Sequence, residues 1–171
     1  MNIILEGPDA SGKSTLATRL SDRFTDMMIR PSPGKPRDRF EAPTRAMIEL
    51  QQDKMIFDRH TALSECVYGQ FRPEGNTMPW SITNTLLYHP AVRRRHIIVW
   101  CVGETDLSNH EIKDHDDLDH IDMVNANHAA IVSAYRNLLK DRADVQYRIR
   151  RDDPNVIIEL IDMLMNLPGS V

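Results

Sequence analysis

Residues Gly7-Pro8-Asp9-Ala10-Ser11-Gly12-Lys13-Ser14 carry the spacing G-x-x-x-x-G-K-[ST]. Glycine at the first and sixth positions lets the backbone aim successive N–H groups inward at an anion. Lys13 supplies a cation that reaches the β- and γ-phosphates of a nucleoside triphosphate, and the Ser14 hydroxyl is a ligand for Mg2+. The candidate nucleotide-binding residues are therefore Gly7, Ser11, Gly12, Lys13, Ser14 and Thr15. A second chemical segment is Met55-Ile56-Phe57-Asp58-Arg59-His60, an apolar run that ends in a carboxylate and a guanidinium. Asp58 suits Mg2+ or the orientation of an attacking oxygen, and Arg59 suits bidentate binding of a phosphate. Lys13, Asp58 and Arg59 form the candidate catalytic set, with Ser14 and Asp58 as candidate metal ligands.

The flanking elements are the ones such residues require. An apolar run precedes the loop, and Leu16, Leu20 and Phe24 follow it at helical period. Strand-like runs at 2–6, 26–30, 54–58, 96–102 and 145–149 alternate with helical patterns at 13–24, 42–52, within 61–71, 81–88, 121–141 and 155–166. Alternation of this kind predicts an α/β fold, a five-stranded parallel sheet with helices on both faces and ligands at the carboxyl ends of the strands. Asp153-Pro154 reads as a cap followed by proline at the start of the last helix.

At 171 residues with net charge −4, the simplest organisation is one domain without a broad duplex-binding surface. Cys66 and Cys101 lack metal or redox spacing and read as packing residues. No apolar run reaches the roughly 18–20 residues that span a bilayer, and no basic-then-apolar leader opens the chain. The expected location is the cytoplasm, the host's if the chain is encoded by a phage.

Glu6-Gly7-Pro8-Asp9-Ala10-Ser11-Gly12-Lys13-Ser14-Thr15 resembles the first motif of thymidylate kinases and related P-loop nucleoside monophosphate kinases, with Ala10 where glycine or arginine is common. Asp58-Arg59-His60 is similar to the family's Asp-Arg-aromatic motif, with Ser64 and Tyr68 at its following positions. Arg30-Pro31-Ser32-Pro33-Gly34 loosely resembles its loop after the second strand. The run 64–69, with 127–132, is similar to small tailed-phage proteins of this superfamily. The resemblance implies a P-loop kinase fold, ATP and Mg2+, and a deoxynucleoside monophosphate acceptor such as dTMP or dGMP. It implies Asp9 at the acceptor sugar, Arg59 and Arg30 at its phosphate, and Tyr68 and Arg72 at its base or phosphate. It implies the turn at 150–153 near the donor adenine, and homodimers through helices are frequent in the superfamily.

Several features depart from that family. The interval from Lys13 to Asp58 is shorter than in typical thymidylate kinases. The lid candidate, about 103–122, has no arginine, only Lys113, with His110, His115 and His120 spaced among aspartates; this reads as a solvated acidic loop. His60 reads either as a stacking partner for a base or as structural, and Arg93-Arg94-Arg95 as a cluster at the sheet end away from the site. A rival acceptor is a hydroxyl of a nucleoside, polynucleotide end or modified DNA base, with Asp58 or Glu6 as general base and Arg30–Arg45 and the triple arginine favouring nucleic acid. A third reading is a non-catalytic nucleotide-dependent switch, although the chain has no guanine-reading Asn-Lys-x-Asp.

Overall fold

A computed structural model describes residues 1–32, 34–103 and 118–167, with 118–120 described in backbone only. Five strands, β1 Asn2–Glu6, β2 Met28–Arg30, β3 Met55–Asp58, β4 His96–Cys101 and β5 Val145–Tyr147, form one sheet in the order β2-β3-β1-β4-β5. Every pairing is parallel. The helices are α1 Lys13–Arg23, α2 Glu41–Glu49, α3 Thr61–Tyr68, α4 Trp80–Tyr88, α5 Pro90–Arg93, α6 Leu118–Leu139 and α7 Pro154–Met165, with a 3-10 turn at Gly69–Phe71.

The period-two alternation of the strands sorts the core into two layers. Ile3 and Leu5 face the layer of α1 and α7, with Leu16, Leu20, Ile157 and Ile161. Ile4 and Phe57 face the layer of α2, α3, α4 and α6, with Leu63, Leu86 and Tyr135. β1, β3 and β4 are buried along their whole length, as central strands of a doubly covered parallel sheet are. β2 is exposed throughout and forms one edge.

Some boundaries shift from expectation for local reasons. β2 starts at Met28 rather than residue 26, and Asp26 instead pairs with Lys54 at 2.8 Å. β5 ends at Tyr147 rather than 149, because the Arg148 N–H turns onto the Asp152 carboxylate at 2.6 Å. α2 runs Glu41–Glu49 rather than 42–52; a turn follows, and Lys54 takes a φ of 57° as the chain enters β3. α5, four residues started by Pro90, was not anticipated; it is too short to carry a period. Asp153 caps α7 by accepting from the Asn155 N–H at 2.9 Å, as Asp153-Pro154 predicted.

At the amino end of the sheet the three consecutive arginines hold backbone. Arg93 donates to the carbonyls of His96 and Arg142 and pairs with Asp144 at 2.7 Å. Arg94 bonds the Pro90 carbonyl and Arg95 that of Gln52. Among the described residues, no helix is long and apolar enough to cross a membrane.

Candidate active site

A cavity of about 430 Å³ opens where β1 and β3 end, lined on one side by the loop Asp9–Thr15 and on the other by α3, Arg72 and the segment after β2. The loop's conformation is set by two glycines for different reasons. Gly7 lies behind the cavity at φ +154°, and a Cβ there would sit 2.0 Å from the Cys101 carbonyl oxygen. Gly12 has φ +83°, and a Cβ would press on the Ile149 side chain at 2.7 Å. Ala10, where glycine or arginine was the expected alternative, adopts φ 58° without being glycine. Among the described residues, none of the backbone N–H groups from Ala10 to Ser14 donates to a backbone carbonyl. They stand at the amino end of α1 and form an anion cradle aligned with the helix dipole.

Lys13 folds over this cradle, donating to the Pro8 carbonyl at 2.5 Å and to Ser11 Oγ at 3.3 Å. Burial, reinforced by the Arg59 cation, pushes its ammonium down to about 8. A phosphate would return the charge partner that burial removes. Ser14 Oγ donates to Asp58 Oδ2 at 2.6 Å, whereas the buried Asp58 Oδ1 has no hydrogen-bond partner among the described residues. A hydroxyl and a carboxylate with one free oxygen are the oxygen-only donor set that Mg2+ prefers, so the pair fits that ion. Thr15 completes this side of the lining.

The opposite wall is a network of paired side chains. Arg59, 7 % exposed, adopts φ 73° just past β3 while its N–H still bonds the Leu5 carbonyl at 3.0 Å. Its guanidinium bridges to Asp9 Oδ1 at 2.7 Å, stacks 4.6 Å over the Tyr68 ring and approaches the Tyr135 hydroxyl at 3.5 Å. The Tyr68 hydroxyl donates to Asp9 Oδ2 at 2.6 Å. Arg72 pairs with the buried Glu65 at 2.5 Å, and its buried Nε has no partner among the described residues. Asp9, Arg59, Tyr68 and Arg72 thus share one cavity. Arg30 does not line it; the wall resumes at Ser32, Gly34, Lys35 and Pro36, because Arg30 ends the exposed edge strand β2.

His60 is not available to stack on a base, because it is fully buried and caps α3. Its Nδ1 accepts from the Ala62 N–H at 3.2 Å. Burial and the nearby His96 push His60 down to about 3, so its 3.4 Å contact with Glu49 involves a neutral ring rather than an ion pair. Glu49 accepts the Thr61 N–H at 2.7 Å and hydroxyl at 2.8 Å, and Glu6 accepts the His60 N–H at 2.6 Å. Two carboxylates therefore hold the start of α3, which supplies part of the cavity wall. Glu6 itself is buried behind the cavity rather than lining it. Burial pushes its carboxyl up to about 7 against the pull of Arg59, the His60 N–H, Tyr135 and Lys13.

Sequence reasoning missed Glu65, Glu49, Ile149 and Tyr135, and covered Lys35 only within the basic segment Arg30–Arg45. Glu65 meets Arg72 only because the 3-10 turn Gly69–Phe71 folds the chain back beyond the end of α3; like Glu49 and Tyr135, it carries no local signal. Cys66 and Cys101 are buried and free, and burial pushes the Cys101 thiol up to about 12. The histidine–aspartate segment and most of the lid candidate, 104–117, lie outside the described residues.

No protein-family model matches the sequence, and a comparison with curated proteins finds no match. Solved structures do match. The YorR protein from Bacillus subtilis, in complex with phosphorylated GDP, superposes with a TM-score of 0.71 at 18 % identity, covering 98 % of this chain and 96 % of that one. Deoxyadenosine kinase from M. mycoides with the products dCMP and dCDP gives 0.59 at 20 % identity, covering 97 % and 98 %. The same kinase with bound dATP gives 0.58 at 18 % identity, covering 98 % and 100 %. The chain shares with these structures the α/β fold built on a five-stranded parallel sheet. At 18–20 % identity the likeness extends to the architecture.

Proposed function

We propose that this protein is an ATP-dependent kinase that transfers a γ-phosphoryl group to a nucleoside monophosphate, favouring a deoxynucleotide such as dTMP or dGMP. The supporting observation is the single cavity that joins the phosphate loop to a wall rich in guanidinium and ammonium groups, in which each lining carboxylate already has a partner: Asp9 with Arg59 and Tyr68, Asp58 with Ser14, Glu65 with Arg72. A wall of that kind suits a second phosphate. Among the similar structures, the YorR protein is in complex with phosphorylated GDP, a ligand compatible with this substrate class.

In this reading the N–H groups of residues 10–14 and Lys13 bind the β- and γ-phosphates of ATP and orient the terminal one. Ser14 and Asp58 would hold Mg2+, which supplies charge neutralisation on the phosphates when bound. Arg59, held by Asp9 and Tyr68, presents its remaining donors to the acceptor phosphate, and Arg72 faces the acceptor base or phosphate. The acceptor oxygen attacks the γ-phosphorus in line, and ADP leaves. Phosphate oxygens are already nucleophilic, so alignment and preorganised positive charge supply most of the rate.

A second reading, a nucleoside hydroxyl acceptor, is favoured by the likeness to two structures of a deoxyadenosine kinase. It needs a general base, and Asp58 is the lining carboxylate with a free oxygen. Incubation with labelled ATP and a panel of nucleosides, nucleoside monophosphates and oligonucleotides separates these readings. Diphosphate formation from monophosphates supports the first reading, label on nucleosides or oligonucleotides replaces it with the second, and tight ATP binding without transfer points to a switch. Lys13→Ala is expected to cut transfer at least hundredfold; an unchanged rate would remove the phosphate loop from the mechanism.

A further inference from the structure

The charged side chains of the cavity wall differ in how firmly they are held. Arg59 and Arg72 are buried against carboxylates that belong to the same wall. Lys35 lines the cavity, but its partner Glu74 does not. The two meet at 3.2 Å, with side chains 48 % and 47 % exposed, and join the segment after β2 to the turn that follows the 3-10 helix. A half-exposed ion pair of this kind is weak and screened by solvent. Both ends stand on turns: Gly34, with φ +70°, precedes Lys35, and Gly75, with φ +76°, follows Glu74 and closes its turn by bonding the Arg72 carbonyl at 3.0 Å. Arg30, the residue expected from the sequence to reach the acceptor phosphate, stands outside the wall.

We propose that Lys35 and Glu74 form an exchangeable clasp at the mouth of the acceptor side, in which Lys35 leaves Glu74 for the phosphate of the incoming monophosphate. The inference rests on the monophosphate reading given above. A phosphate monoester at neutral pH carries between one and two negative charges and three acceptor oxygens. It therefore outbids a single exposed carboxylate for the ammonium, and moving Lys35 inward unfastens the segment after β2 from the Glu74 turn. A nucleoside has no such group and leaves the clasp shut. Lys35 thus becomes a specificity-determining residue that favours monophosphates over nucleosides, taking the position expected of Arg30.

The test compares wild type, Lys35→Gln, Glu74→Gln and the exchanged pair Lys35→Glu with Glu74→Lys. KM for the preferred monophosphate, KM for ATP, kcat and Tm are measured for each. Lys35→Gln is expected to raise the monophosphate KM about tenfold or more while the ATP KM stays within twofold. Glu74→Gln should lower the monophosphate KM a few-fold, since the competing carboxylate is gone. The exchanged pair restores the ion pair but keeps the cation on the wrong side, so its monophosphate KM stays as high as that of Lys35→Gln. Recovery of the wild-type KM by the exchanged pair would make the contact a structural strap and overturn the proposal, as would an unchanged KM in Lys35→Gln. If wild type itself uses monophosphates in either case, only the clasp has failed. If wild type uses nucleosides alone, the monophosphate reading fails and the clasp with it.

Discussion

On the proposed donor wall, five neighbouring backbone N–H groups, two glycines and one lysine come from a single stretch of eight residues. On the proposed acceptor wall, Arg59, Tyr68, Arg72 and Lys35 come from three separated stretches, with Asp9 reaching across from the loop itself, and side chains are held by pairing with side chains. The donor wall is made by local conformation, so its cost is backbone strain at positive φ. The acceptor wall is made by long-range pairing, so its cost is burial of charge, and each member depends on its partner. A change in the first should act at one place. A change in the second should spread.

The contrast is most severely tested at Gly7. Gly7→Ala places a methyl group 2.0 Å from the Cys101 carbonyl, an overlap with backbone that cannot rotate away. Loss of ATP binding together with a stability drop of about 3 kcal/mol or more is expected by titration and denaturant unfolding. A variant that binds ATP normally would mean that the loop is not held as described. Next in size is Arg59→Lys, which keeps the charge but cannot bridge Asp9 while stacking on Tyr68. Loss of a charge-assisted hydrogen bond corresponds to a rise of about ten- to hundredfold in acceptor KM. An equal rise in the KM for ATP would erase the distinction between the walls.

Glu6 tests whether buried charge behind the site costs stability. Its folded value of about 7 lies above the ordinary 4.5, so across that window the folded chain binds more protons than the unfolded one. Stability therefore falls as pH rises from 4.5 to 7, by about 3 kcal/mol at most. Glu6→Gln, which keeps an acceptor for the His60 N–H, should flatten that slope and raise Tm at pH 7.5. Lys13 acts in the other direction: its folded value of about 8 lies below 10.5, so stability rises with pH between them. An identical pH profile in Glu6→Gln would mean that Glu6 does not titrate in this range. The smallest effect is expected at Ala10, whose φ of 58° carries a side-chain penalty that glycine lacks. Ala10→Gly should stabilise by about 0.5 kcal/mol, since the more flexible unfolded chain offsets part of the relief. Calorimetry showing a loss of 1 kcal/mol or more would argue against strain in the loop.

Much of the sheet was legible because parallel strands covered on both faces are continuous apolar runs, and Asn2–Glu6 and His96–Cys101 stand out as such. The strand ends were less so: Arg148 leaves β5 for an aspartate that only the folded turn brings near. His60 shows the limit for side chains. Its place after Asp58-Arg59 suited either a stacking contact with a base or a structural role, and the decision came from α2, which brings Glu49 beside it, and from the core that buries it.

The G-x-x-x-x-G-K-S spacing, the helix that begins at Lys13 and the carboxylate at the end of the third strand were legible in the sequence, because each is written in adjacent residues whose spacing sets local geometry. Which basic residues line the cavity could be read only from the folded chain. Arg30 and Lys35 are five residues apart and equally basic on paper. One closes an exposed edge strand and the other turns into the cavity, and that choice belongs to the sheet order and to Glu74, 39 residues farther along the chain from Lys35.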